Sequence, residues 1–108
     1  MRQSFAHDAV LTMDAAADTA APGAAVTVAL CGHWEHEPPC PLAPHHTSAQ
    51  RDGDAVHLRI LFATEPEQER AIRTRIDEVL AARWQVRSSR PGIVRPSEAD
   101  HAAGLARS

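Results

Sequence analysis

Apolar and polar positions alternate along three stretches of the chain, and in a fourth they recur at helical spacing. In residues 3–13 Phe5, His7, Ala9, Leu11 and Met13 fall on every second position, which predicts a strand. Residues 24–35 alternate more clearly. Val26, Val28, Leu30 and Trp34 share one face, and Thr27, Ala29, Cys31, His33 and Glu35 share the other. Between these two stretches, residues 14–23 are rich in Ala and Asp and close on Pro22-Gly23, a turn signal.

Residues 55–63 predict a third strand, with Val56, Leu58, Ile60 and Phe62 opposite His57, Arg59 and Leu61. Residues 65–83 then change period. Ile72, Ile76, Val79, Leu80 and Arg83 mark one helical stripe, and Glu69–Arg73 is a supporting i,i+4 pair. Thr64 with Glu67 reads as a capping box, and Glu65, Glu67 and Glu69 place negative charge where the helix dipole favours it. Residues 84–87 predict a short returning strand.

Residues 36–54 read as a loop, because Pro38, Pro39, Pro41 and Pro44 oppose both a helix and a central strand. A loop of that length in a compact domain is usually functional or tied down. The turn Arg51-Asp52-Gly53-Asp54 ends it. Residues 88–96 read as a linker, and a short helix from Ser97 onward has only Leu105 to bury. The expectation is an α+β domain over residues 1–87 with a mobile tail over 88–108. Its small antiparallel sheet of three to four strands, in the order β-β-β-α-β, would carry one main helix on one face.

Composition narrows this picture. The chain has 108 residues, enough for one domain, and 44% are hydrophobic, about half of these alanine. Two Phe, two Trp and no Tyr leave little material for a large core. A metal cross-link would matter to such a chain. The net charge of −3 argues against a dedicated nucleic-acid binder. No stretch is apolar for long enough to span a bilayer, and the N-terminus lacks a secretory apolar region, so a cytoplasmic protein is expected.

The chemistry concentrates between Cys31 and His57. Both cysteines and five of the seven histidines fall there. Thiolate and imidazole are the donors that zinc and copper prefer. In a reducing compartment two cysteines nine residues apart read more readily as metal ligands than as a disulfide. On a strand, Cys31 and His33 would leave one face about 6.6 Å apart. Cys40 and one of His45 and His46 would complete a tetrahedral set. His36 is a reserve donor, and His57 is another if the strands pair.

The spacing C-x-H-x₆-C-x₄-H-H matches no standard finger or ribbon. His33-Trp34-Glu35 with Pro39-Cys40 resembles in part the H-x-E…P-C-x-x-C pattern of zinc deaminases, but the second cysteine would fall at Ala43. Neither H-E-x-x-H nor a phosphate-binding loop is present.

The leading expectation is a small zinc-binding protein acting as an interaction or accessory module, with a protein partner or a second copy of itself. A zinc or copper carrier or sensor is the alternative. So is a small zinc enzyme with an open coordination position and Glu35 or Glu37 as base. A Cys–His nucleophile pair and a metal-free interaction module complete the range.

Overall fold

The computed structural model describes residues 1–31 and 43–107, Cys31 by its backbone alone. They form β1 (Gln3–Thr12), α1 (Ala21–Cys31), β2 (His45–Asp52), β3 (Ala55–Thr64), α2 (Glu69–Ala81), β4 (Gln85–Gly92) and α3 (Ala99–Ala106). Single 3₁₀ turns, Pro66–Gln68 and Pro96–Glu98, lead into α2 and α3. The four strands make one antiparallel sheet in the order β2-β3-β1-β4. The fold is thus α+β, in the split β-α-β-β-α-β arrangement with an added C-terminal helix.

The central strands carry the core, as their alternation predicts. Phe5, His7, Ala9 and Leu11 of β1 pair with Phe62, Ile60, Leu58 and Val56 of β3 on the face under α1 and α2. Ile72, Ile76 and Leu80 of α2 pack onto that face at helical spacing. The expected capping box does not form. Thr64 is the last residue of β3, and Glu65 and Gln68 cap the turn and the helix without side-chain bonds.

Residues 24–31 are not the expected strand; they are helical. Alanine at positions 20, 21, 24, 25 and 29 supplies the strongest helix former, and Pro22 sits in the first turn, where its missing N–H costs nothing. Asp18 starts the turn, its Oδ1 accepting from the Ala20 N–H at 2.9 Å. Burial decides between the two periods. Pro22, Val26 and Leu30 are fully buried at spacing four, whereas Val28, which a strand would bury with Val26, is 40% exposed. Gly23 lets α1 approach β2, because a Cβ there would stand 2.5 Å from Thr47 Oγ1.

The long loop also ends earlier than the prolines suggest. All four prolines precede His45, and His45–Asp52 form the edge strand β2. A two-residue turn joins it to β3, with Gly53 at φ 64° where a side chain would be strained. Beyond residue 87 the sheet continues. β4 runs to Gly92, and its Pro91 is tolerated on an edge strand. α3 then lies on the second face of the sheet over β1 and β3, with Ala102 1% exposed. No helix among the described residues is long and apolar enough to cross a membrane.

Candidate functional site

β2 places the two adjacent histidines on opposite faces of the sheet, as the period of a strand demands. His45 faces α1. Its Nε2 lies 3.0 Å from Thr27 Oγ1 and its Nδ1 3.0 Å from the Ala43 carbonyl oxygen. His46 is exposed on the second face, opposite Leu61 of β3. One ion on one face therefore cannot take both rings.

A residue from the far end of the chain joins His46 instead. His101 of α3 lies with its ring centre 4.6 Å from that of His46, the planes inclined at 55°. That is the geometry of a tilted ring contact, and it lies near the roughly 5 Å between ring centres of two imidazoles bound to one tetrahedral ion. His57 shares this face but stands opposite Gln50, four residues along β3 from the partner of His46, or about 13 Å. His57 is therefore not beside His46.

Cys31 is the last residue of α1, one turn beyond Thr27, whose hydroxyl meets His45. The Cys31 backbone is helical rather than extended, and the i,i+2 pair expected of Cys31 with His33 lies outside the described residues. His33, Glu35, His36, Glu37 and Cys40 lie outside the described residues. Among the described residues no group of three or more His, Cys, Asp or Glu side chains is placed to hold an ion. His46 and His101 thus offer two donors of the four that a closed zinc site needs.

Arg59 ties the start of α3 to the sheet. From β3 it reaches both oxygens of Glu98 at 2.7 Å, both oxygens of Asp8 at 2.8 and 3.0 Å, and the Ile93 carbonyl at 2.6 Å. These bonds hold the Glu98 carboxyl far below its ordinary range, at about 2, and push the guanidinium up. Beyond α3 the same face forms a shallow polar groove of about 890 Å³, lined in part by Ser48, Gln50, His57, Ser88 and Arg90.

A second polar cluster lies under α2. His7 is 1% exposed. Arg73 Nη1 lies 3.0 Å from His7 Nδ1, and because a guanidinium can only donate, Nδ1 accepts. Nε2–H then donates to Ser89 Oγ at 2.8 Å, and Ser89 donates onward to Asp77. Burial, then the charge of Arg73, lowers the His7 pKa and keeps the ring neutral. With its proton already on Nε2, His7 does not activate the Ser89 hydroxyl, and the chain serves to satisfy a buried imidazole.

No family model matches the chain, and no curated protein matches it.

Proposed function

We propose that the protein binds a borderline-soft metal ion, zinc ahead of copper, where the fold brings His46 and His101 together. It would present the surrounding surface as an interaction or accessory module. The approach of these two rings supports the reading, because residues 55 positions apart supply two imidazoles at a spacing one ion can bridge. Cys31, His33 and Cys40 are the donors the sequence offers for the remaining positions, and all belong to the segment that joins α1 to β2 or to its border. His45 is a weaker donor than the sequence suggests, since Thr27 and Ala43 already engage its two nitrogens. A cytoplasmic, reducing setting would keep both thiols available.

Four protein ligands would make the site closed and structural; three would leave a place for water and for chemistry. Zinc titration of the untagged chain against a chromophoric chelator at neutral pH tests the reading. One site per chain is expected. His46→Ala and His101→Ala should each weaken it at least about tenfold, while His57→Ala leaves it unchanged. Equal affinity in all three variants would refute the pairing.

A further inference from the structure

We infer that the chain forms a two-fold dimer by adding β2 of one copy to β2 of another, centred on Ala49. The two edges of the sheet are not alike. β4 carries Pro91 and pairs with β1 through a register shift at Val10 and Leu11, both of which discourage further pairing. β2 pairs with β3 in unbroken register from His45 to Asp52, with no proline, lysine or bulge. Arg51, its one cation besides the histidines, turns its guanidinium back onto the carbonyls of Asp14 and Ala17 at 3.0 and 3.1 Å. Among the described residues the only other charged side chain of β2 is Asp52, at its far end.

The hydrogen-bond phase fixes what the edge offers. The Ala63 N–H donates to the Pro44 carbonyl oxygen at 2.9 Å, so even-numbered positions of β2 bond to β3. In an antiparallel ladder the odd positions then aim N–H and C=O outward. Thr47, Ala49 and Arg51 are so placed. A two-fold axis at Ala49 makes them hydrogen-bonded pairs, Ala49 with its own copy and Thr47 with Arg51 of the second copy. Two chains would share one eight-stranded sheet.

Side chains agree with this register. On the open face it sets His46 opposite Asp52 of the second copy, and Ser48 opposite Gln50 of the second copy. An acid thus meets an imidazole at both ends of the ladder, and polar groups meet between them. On the helix face Ala49 meets its twin. There α1 carries no charged residue, exposes Val28, and borders a groove of about 500 Å³ lined by Ala20, Ala24, Thr27, Thr47, Ala49 and Leu58. On this face the charge contributed by β2 is Arg51, whose guanidinium is held on the carbonyls of Asp14 and Ala17.

This inference does not rest on metal binding, and its test is run in excess chelator. Sedimentation equilibrium of the full chain at about 100 µM should give the mass of two chains. Ala49→Pro removes an outward N–H without touching the β3 ladder, and should weaken the dimer at least about 100-fold while the monomer stays folded by circular dichroism. Ala49→Lys, at an exposed position, sets two like charges opposite each other at the axis and should do the same should the proline variant fail to fold. A monomeric wild type would overturn the inference and leave the edge to a strand of another protein. A dimer that persists in Ala49→Lys would overturn it in favour of another surface.

Discussion

Arg59 grips Glu98 through both carboxylate oxygens, Nε to Oε2 and Nη2 to Oε1, at 2.7 Å each. That fork leads into α3, which adds the fully buried Ala102 and the half-buried Ala103, Leu105 and Ala106. The helix in turn sets His101 beside His46. Arg59→Met should destabilise the fold by about 1–3 kcal/mol, because Asp8 and Glu98 lose their partner while still partly shielded. Hydrogen exchange over α3 should rise most, as urea unfolding records the global loss. An unchanged α3 exchange rate would mean that the helix is held by other contacts.

The same pair makes α3 sensitive to acid. The Glu98 pKa is lowered from about 4.5 to about 2, chiefly by the hydrogen bonds from Arg59 and then by that from the Arg95 N–H. A carboxyl with a depressed folded pKa stabilises fully above 4.5 and loses that contribution as pH falls towards 2. The Ala102 amide should lose protection across that window. In Glu98→Gln the protection should be lower at neutral pH and flat through the acid range. A wild-type profile retained in that variant would contradict the assignment.

His7 acts in a higher window. Its folded pKa lies below the ordinary 6.5, so the unfolded chain takes up the proton first. Stability from the neutral ring is complete above 6.5 and declines as pH falls below it. Urea midpoints measured between pH 7 and about 5 should fall in the wild type and fall less in His7→Leu, whatever the variant costs at neutral pH. Parallel slopes in the two proteins would show that His7 is not the group responsible.

Val26 and Val28 separate the helical from the extended reading of residues 24–31. Val26→Ala should cost about 2 kcal/mol, since the side chain is fully buried. Val28→Ala should stay within about 0.5 kcal/mol, because the residue is exposed and alanine is the better helix former. Equal costs would favour a strand.

Much of this fold is legible in the chain, and what is hidden has physical causes. β1, β3 and α2 each bury one continuous side, so Leu11, Ile60 and Ile76 recur at the right period. The valines of α1 also alternate, and only packing reveals that Val28 faces outward. β2 holds no apolar side chain larger than Ala49, because one face is open and the strand is an edge; a polar strand leaves no hydropathy signal. α3 is tied to the sheet by an ion pair that spans 39 residues, which no local window detects. The candidate site divides likewise. The density of Cys and His between residues 31 and 46 marks the region, but the opposite faces of His45 and His46 follow only once β2 is recognised. His101 enters the site through topology alone.

Metal content per chain is the most direct measurement of the central claim. Untagged protein purified without chelators, analysed by mass spectrometry beside a thiol count, should carry close to one zinc per chain. His46→Ala and His101→Ala should lose most of it, and His57→Ala should retain it. Metal-free wild-type protein with two free thiols would contradict the claim.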